Sequence, residues 1–320
     1  MKKSLLLMMT SMLCLSLFGS CANSNQDKGH DKGPRRGGMH AMINKDTDSV
    51  FVALKDAVVP SFKQFSYQDE KTGETMEYNL FIPQGWENNN YPLVLFIADA
   101  STAGKEVTAP LTQGYGALLF ASERDQRVHP SFVLVPQFSE TAVQDDWSHT
   151  DEVDMTIRLL DAVVEKYHVD RSRLYTTGQS MGGMISFYFN ITYPDVFAAS
   201  LFVGSQWDTG KMNDFGDKNF FYIVAGGDNK ASGGMRDLAA VLNSNHARVD
   251  SATWSAKLPQ DEQDRLAAQL IQKGGHVNFV KFEAGSVLPE DGRGMEHMAS
   301  FDFAYKLTPV RDWLFEQTKK

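Results

Sequence analysis

From about residue 60 onward, short apolar runs alternate with segments in which apolar residues recur every three or four positions. The first two runs, 64–67 and 76–82, alternate apolar and polar residues around a Lys-Thr-Gly turn at 71–73. This pattern is typical of an antiparallel hairpin at the edge of a sheet. The later runs are mostly apolar, as expected of strands that are covered on both faces. They lie at 93–97, 132–135, 174–177, 200–203, 220–225 and 277–282.

Helical patterns separate these runs, and the clearest one covers residues 151–169. Its apolar residues recur at spacings of three and four and predict one buried stripe. They are Val153, Ile157, Leu160, Val164 and Tyr167. Other helices are predicted to begin near residues 111, 183, 235 and 261. Because strands that alternate with helices form right-handed crossovers, the pattern predicts a mainly parallel central sheet with an antiparallel N-terminal hairpin and helices on both faces.

The N-terminal segment has the pattern of an export signal. Lys2 and Lys3 precede an apolar run at 5–18, which is followed by Gly-Ser-Cys at 19–21. The run is too short to span a bilayer as a mature helix. Residues 18–21 resemble the lipobox of bacterial lipoproteins, which implies that Cys21 becomes the lipidated first residue. An ordinary cleaved signal with an incidental cysteine is the alternative.

Three regions follow from these patterns. Residues 1–20 are predicted to be a signal peptide of the lipoprotein type. Residues 21–48 are predicted to be a flexible tether, because they are polar, rich in glycine and poor in apolar residues. No second linker and no internal repeat follows, so residues 49–320 are predicted to form a single catalytic domain.

Composition and charge narrow the possible functions. The chain is 42% hydrophobic and 22% charged, which is ordinary for a globular protein. Beyond residue 40 it carries 25 basic against 38 acidic residues, and such an acidic body repels phosphate backbones. Nucleic acid is therefore not expected as a partner. The two cysteines, Cys14 and Cys21, precede the predicted domain, so neither a disulfide nor a thiolate metal site is expected in it.

Residues 178–182 read Gly-Gln-Ser-Met-Gly, between a predicted strand and a helical stretch. The pattern G-x-S-x-G in this setting indicates a nucleophile elbow. A strained turn lifts the serine hydroxyl above the sheet edge, and side chains at the two glycine positions would collide there. The sequence therefore predicts Ser180 as a nucleophile. A glycine-rich turn with a purely structural role is the alternative.

A serine hydroxyl needs a histidine to accept its proton, and the histidine needs a carboxylate to hold its tautomer. In folds with this elbow, the acid and then the histidine follow the serine along the chain. Asp228 follows the strand that ends at residue 225, at the same sheet edge as Ser180. His297 lies in the predicted loop after the last strand and before a helical stretch at 298–315. Asp208 is the alternative acid.

An oxyanion that develops during acyl transfer needs two backbone N–H donors. Met181, which follows the serine, is expected to supply one, and Ala100 in the loop after the strand at 93–97 is expected to supply the other. A substrate pocket is expected around the elbow, with ordinary packing as the alternative role for its two tryptophans. The candidate pocket residues are Gln179, Gln206, Trp207 and Trp147.

These motifs together resemble the α/β-hydrolase superfamily, in the branch of secreted esterases related to polyhydroxybutyrate depolymerases, feruloyl and acetylxylan esterases and predicted peptidases. The resemblance covers roughly residues 60–315. It is carried by 91–96, 135–137, Trp147, 175–183 and 193–194. It implies the α/β-hydrolase fold, a triad of Ser180, Asp228 and His297, and no metal or organic cofactor.

The sequence departs from this family in two places. The His-Gly pair that often follows the strand at 93–97 is missing, and residues 252–275 are long enough to form an extra helix over the site. The leading hypothesis is a secreted serine hydrolase that cleaves carboxylic esters through an acyl-enzyme, with small-molecule esters or esters of acylated polysaccharide fragments as candidate substrates. It would be held to a membrane by its lipid and face the periplasm or the cell surface. The alternatives are a serine peptidase with the same triad and a non-catalytic binding lipoprotein.

Overall fold

The structure is a computed structural model that describes residues 45–319. Its strands are β1 (Lys63–Gln68), β2 (Thr75–Phe81), β3 (Leu93–Ile97), β4 (Phe132–Pro136), β5 (Leu174–Gln179), β6 (Ala199–Val203), β7 (Phe220–Ala225), β8 (Val249–Trp254) and β9 (Val277–Phe282). Its α-helices are α1 (Ser49–Val58), α2 (Ala109–Thr112), α3 (Tyr115–Phe120), α4 (Glu123–Val128), α5 (Asp151–Tyr167), α6 (Met181–Thr192), α7 (Asn229–Ser244), α8 (Gln260–Ile271), α9 (Glu296–Lys306) and α10 (Thr308–Glu316).

The strands form one sheet in the order β1-β2-β4-β3-β5-β6-β7-β9-β8. β1 pairs antiparallel with β2 and β2 with β4, whereas every other pairing is parallel. The predicted α/β fold with an antiparallel edge hairpin is therefore confirmed. Because all but the hairpin strands are parallel, the carboxyl ends of β3, β5, β6 and β7 meet at one edge, where ligands bind in open α/β sheets.

The sheet divides the core into two layers, which explains why its strands are apolar on both faces. In β3, Leu93, Leu95 and Ile97 pack into one layer, with side chains of α5, α6 and α7. The intervening Val94 and Phe96 pack into the other layer, with side chains of α1, α3, α8, α9 and α10. Helices thus cover both faces, as predicted.

Residues 252–275 differ from the prediction of a helix over the site. Val249–Trp254 forms β8, an edge strand that pairs in parallel with β9. The helix that follows, α8, packs against β8 and α10 and so covers the far edge of the sheet, not Ser180. The strand escaped prediction because its half-exposed edge position allows polar residues such as Asp250 and Thr253, which interrupt the apolar pattern.

The C-terminal helical stretch is also divided differently. α9 begins at Glu296, so His297 lies in the first turn of a helix and not in the preceding loop. The chain breaks at Leu307 and continues as α10, which has Pro309 in its first turn. Proline is tolerated there because its missing N–H would have no intrahelical partner.

The folded domain begins at least four residues before the predicted boundary at 49. Lys45–Thr47 form a 3-10 turn, and the Lys45 ammonium lies 2.7 Å from the Asp302 carboxylate. Asp48 caps α1 by accepting hydrogen bonds from the backbone of Val50 and Phe51 at 3.1 Å. The predicted signal peptide, Cys21 and the rest of the predicted tether lie outside the described residues. Between residues 45 and 319, no helix has the length and apolarity needed to cross a membrane.

Candidate active site

Ser180 occupies a strained turn between β5 and α6. Its φ of 52° and ψ of −115° lie outside the regions that side-chain-bearing residues normally adopt, which costs about 1–3 kcal/mol. Backbone hydrogen bonds of Ser180 itself hold the turn. The Ser180 N–H donates to the Val203 carbonyl, and the Ser180 carbonyl accepts from the Met184 N–H, both at 3.0 Å.

The two flanking glycines are required by the space around this turn. A Cβ at Gly178 would lie 2.3 Å from the carbonyl group of Gly182, and a Cβ at Gly182 would lie 2.0 Å from the Ile97 carbonyl oxygen. Both distances are far below van der Waals contact. The glycines therefore let α6 begin directly against the ends of β3 and β5, with Ser180 at the corner.

The structure brings Ser180, His297 and Asp228 together. His297 Nε2 lies 2.9 Å from Ser180 Oγ, and His297 Nδ1 lies 2.6 Å from Asp228 Oδ2. Because Nδ1 faces a carboxylate, it carries the ring proton and leaves Nε2 free to accept from the serine hydroxyl. Ser180 follows β5, Asp228 follows β7, and His297 lies in the first turn of α9, the helix that follows β9 along the chain. The parallel sheet brings these three positions to one edge.

Asp228 is fixed by its place at the start of α7. Its Oδ1 accepts a hydrogen bond from the Ala231 N–H at 3.1 Å, so the helix N-terminus orients the carboxylate while Oδ2 faces His297. Burial by itself raises the pKa of this carboxyl, but the hydrogen bond and charge of His297, together with backbone N–H groups, lower it by more. The pKa of Asp228 therefore lies below the ordinary value, which keeps the carboxylate ionised.

Asp208, the alternative acid, lies elsewhere. Its carboxylate accepts a hydrogen bond from the Gly210 N–H at 2.9 Å and caps the 3-10 turn Thr209–Lys211. The geometry thus distinguishes two aspartates that sequence alone left open.

Glu296, the residue before His297, was missed by the sequence analysis. Its carboxylate accepts hydrogen bonds from the Gly227 N–H at 2.9 Å and from the Gly285 N–H at 2.7 Å. It thereby ties the loops after β7 and β9 to the first turn of α9. This clamp connects the loop that carries Asp228 with the helix that carries His297. An acidic residue at a helix start was the only signal in the sequence.

The predicted oxyanion donors lie near the elbow. Met181 is the first residue of α6, where the backbone N–H has no intrahelical acceptor. Ala100 begins a 3-10 turn directly after β3, which the close approach of Gly182 to Ile97 places against the elbow. The Asp99 carboxylate caps this turn by accepting from the Ser101 N–H at 2.7 Å.

A buried polar network holds the Ala100 turn to β5. The Gln179 amide donates to Asp99 Oδ2 at 3.2 Å and to Gln113 Oε1 at 2.8 Å, and the Gln113 amide donates to both Asp99 and Ser101. Gln179 was expected to line the substrate pocket, but its side chain is buried in this network and does not reach the cavity beside Ser180. Gln113, which directly follows the short helix α2, had no signal in the sequence.

A cavity of about 100 Å³ opens beside the triad. Its walls combine the residues after β6 with the first turns of α6 and α7. They are Ser180, Met184, Gly204, Ser205, Gln206, Lys230, Ala231 and His297. Gln206 is the one candidate pocket residue of the sequence analysis among them. Lys230 and Ala231 were missed because only the folded sheet brings the first turn of α7 next to Ser180.

Trp147 and Trp207 do not line this cavity. Their rings stack on each other at a centroid distance of 4.1 Å with planes 10° apart, and the Trp207 indole N–H donates to the Gln144 carbonyl at 3.0 Å. Trp207 is buried. The pair packs the loop between β4 and α5 onto the loop after β6, which is the packing role that the sequence left open.

Another groove of the described residues lies at the opposite edge of the sheet. A groove of about 560 Å³ beside Asp217, Asn219 and His276 opens at the amino ends of the strands, away from Ser180. Over residues 45–319, no group of three or more His, Cys, Asp or Glu side chains has the arrangement of a metal site.

The α/β-hydrolase class is defined by a serine at a strand-turn-helix elbow on a mostly parallel sheet, with the chain order Ser, Asp, His. In this protein the serine is hydrogen-bonded to the histidine, which in turn is hydrogen-bonded to the aspartate. The family model Esterase matches residues 70–270. The chain belongs to this esterase family. The matched stretch contains Ser180 and Asp228 and ends before His297.

Solved structures share the fold at low identity. A thermostable esterase is 24% identical with a TM-score of 0.62, over 82% of this chain and 64% of that one, so this chain spans less than two thirds of its length. A mutant feruloyl esterase module from Clostridium thermocellum, complexed with sinapinate, is 12% identical with a TM-score of 0.52, over 78% and 88%. A ferulic acid esterase is 12% identical with a TM-score of 0.50, over 80% and 98%. No curated protein sequence matches the chain.

Proposed function

We propose that this protein is a serine hydrolase that cleaves carboxylic esters through an acyl-enzyme, with Ser180 as nucleophile. The observation that carries the proposal is the continuous hydrogen-bonded chain from Ser180 Oγ through the His297 ring to Asp228, at 2.9 and 2.6 Å. Those distances lie within the range needed for proton transfer between a nucleophile and its base. Membership of the esterase family supports an ester as the bond that is cleaved.

The first half of the reaction forms the acyl-enzyme. Ser180 Oγ attacks the ester carbonyl carbon while its proton passes to His297 Nε2, and Asp228 stabilises the imidazolium through Nδ1–H. The N–H groups of Met181 and Ala100 are the proposed donors to the oxyanion. When the tetrahedral intermediate collapses, the bond to the alcohol oxygen breaks, and the alcohol leaves with the proton from His297.

The second half regenerates the enzyme. His297 Nε2 takes a proton from a water molecule, whose oxygen attacks the acyl carbon held on Ser180. The second tetrahedral intermediate collapses, the bond to Ser180 Oγ breaks, and Ser180 recovers its proton from His297. The products are one carboxylic acid and one alcohol, and every proton transfer uses only groups of the triad and water.

The test compares three substrates, p-nitrophenyl acetate, a ferulate ester and an aminoacyl anilide, in the wild type and in Ser180→Ala. We expect ester hydrolysis by the wild type and a loss of about 10⁴-fold or more in kcat in the variant. A matched control is Ser186→Ala, which removes the hydroxyl of a buried serine of α6. Its Oγ lies in a hydrogen bond with Thr176 Oγ1 at 3.0 Å. A fluorophosphonate probe should label the wild type and the control at Ser180 only. Equal activity in Ser180→Ala would reject the proposal, and anilide hydrolysis alone would favour a peptidase.

We further propose that the protein is exported and lipidated at Cys21, and that it acts on esters of acylated polysaccharide fragments outside the cytoplasm. The N-terminal lysines, the apolar run and the Gly-Ser-Cys segment support export and lipidation. Labelling of cells with a clickable palmitate should mark the wild type but not Cys21→Ala. Cys14→Ala, a change of the other cysteine in the same segment, serves as the control. Label retained in Cys21→Ala would refute lipidation at this residue.

A further inference from the structure

The cavity beside the triad is unusually small for a ligand site. Its volume is about 100 Å³, whereas pockets for drug-sized ligands are typically about 300–1,000 Å³. A closed cavity of about 150 Å³ is known to hold a benzene molecule. The cavity next to Ser180 is smaller than that benzene-binding cavity, and its inner wall of Met184, Gly204 and Ala231 suits a short aliphatic group.

Two side chains separate this cavity from a larger groove. Gln206 and Lys230 line both the cavity and a neighbouring groove of about 470 Å³, which continues along α7 past Arg236. The larger groove would be open to a long substituent if these two side chains were absent. The size of the cavity next to Ser180 thus depends on this partition.

The partition is held by one aspartate and one glycine. Asp145, in the connection between β4 and α5, accepts hydrogen bonds from the Gln206 amide at 3.2 Å and from the Lys230 ammonium at 2.8 and 2.7 Å. Gln206 also packs over Gly234, where an added Cβ would lie 2.3 Å from the Gln206 Cβ. These contacts position Gln206 and Lys230 between the cavity and the groove.

The chemistry indicates which part of the ester fills the cavity. After the alcohol has left, water must reach the acyl carbon from the side of His297 that the alcohol occupied. The acyl group stays on Ser180 throughout this step and must leave that path clear. A small cavity in contact with Ser180 meets this requirement for the acyl group, while the alcohol departs on the side away from the cavity.

We propose that this cavity holds the acyl group and limits it to about two to four carbons, since each methyl-sized group occupies roughly the 30 Å³ of a water molecule. Gln206 and Lys230, positioned by Asp145, set the limit. The inference rests on the proposed ester hydrolysis and assigns its substrate class as short aliphatic acyl esters, as distinct from aromatic ones.

The first experiment measures kcat/KM on p-nitrophenyl acetate, propionate, butyrate and hexanoate, together with a ferulate ester. We expect the highest values for the short chains and a fall of about tenfold or more at hexanoate and ferulate, because a single methylene that does not fit costs about 10-fold or more. A parallel series of alkyl acetates, in which only the alcohol grows, should show a much weaker dependence on length.

The second experiment measures the ratio of kcat/KM for hexanoate to that for acetate in variants. Gln206→Ala, Lys230→Ala and the double variant should raise the ratio, by about tenfold in the double variant. Arg236→Ala is the control, because Arg236 lines the groove but not the cavity.

The outcomes separate the two proposals. A wild-type preference for hexanoate or ferulate, an unchanged ratio in the double variant, or a dependence on alcohol length alone would overturn the acyl limit while leaving ester hydrolysis intact. Failure to cleave every ester, with no probe on Ser180, would overturn the proposed function and the limit together.

Discussion

The two sides of Ser180 differ in how deeply their polar side chains are buried. On the side of β3, Asp99 and Gln179 are 2% and 3% exposed and are joined through Gln113. On the side of β6 and β7, the cavity is bordered by Lys230, whose ion pair with Asp145 is 64% exposed at both partners. One side is a buried network, and the other is a solvated rim.

The buried side positions the proposed oxyanion donor, whereas the exposed side borders the proposed acyl cavity. A buried polar network is costly if any member loses its partner, so its geometry is tightly determined. An exposed ion pair contributes about 0–1 kcal/mol and can change at little cost to folding. The side that positions the Ala100 turn is therefore resistant to change, whereas the side that borders the cavity can vary with the acyl group.

The largest loss of activity in this comparison is expected at Asp228, on the side of β7, whose carboxylate contacts His297. Asp228→Asn keeps the shape of the side chain but removes the charge that stabilises the imidazolium, so kcat should fall by about 10⁴-fold. Asp208→Asn, a change of the alternative acid, should leave kcat close to the wild type. The measurement is steady-state hydrolysis of p-nitrophenyl acetate. Comparable losses in the two variants would contradict the assignment of Asp228.

A large loss of stability is expected from Gly182→Ala on the buried side. The new methyl group would overlap the Ile97 carbonyl, and overpacking of this kind costs about 1–3 kcal/mol or more. Gly274→Ala is the control, because Gly274 has open space around it and carries only the strain of its φ of +77°. Urea unfolding measures both. A smaller loss in Gly182→Ala than in Gly274→Ala would show that the elbow can relax.

A moderate effect on turnover should distinguish the two sides directly. Asp99→Asn replaces a side-chain oxygen that accepts hydrogen bonds in the buried network with an amide NH₂ group and loosens the Ala100 turn, so kcat should fall by about tenfold with little change in KM. Asp145→Asn on the exposed rim should change kcat on acetate by less than about threefold. If both variants lost kcat equally, burial would not be what separates the two sides.

The smallest effect concerns stability against pH. Because the pKa of Asp228 is lowered in the folded protein, unfolding takes up protons near the ordinary aspartate pKa of about 3.9. Its contribution is present above that pH and is lost as the pH falls through the folded pKa. The difference in unfolding free energy between the wild type and Asp228→Asn should therefore shrink from about pH 6 to about pH 3. A difference that grows on acidification would contradict a lowered pKa.

The sequence by itself determined most strands of the sheet and the position of the serine at the elbow. β3, β7 and β9 have the predicted bounds because strands buried on both faces must be apolar throughout, and that requirement is visible in one dimension. The position of Ser180 could be predicted because the turn around it has room only for glycine at Gly178 and Gly182. This steric requirement produces a recognisable pattern in the sequence.

Only the tertiary structure decided which distant side chains meet. The sequence favoured Asp228 but left Asp208 as an alternative, since both are loop aspartates after apolar strands. What distinguishes Asp228 is a contact with His297, which lies 69 residues further along the chain. The sequence could not show that Gln179 turns into the buried network or that Lys230 borders the cavity. The physical reason is that burial leaves a repeated local pattern, whereas a contact between loops depends on the relative position of strands that are far apart in the chain.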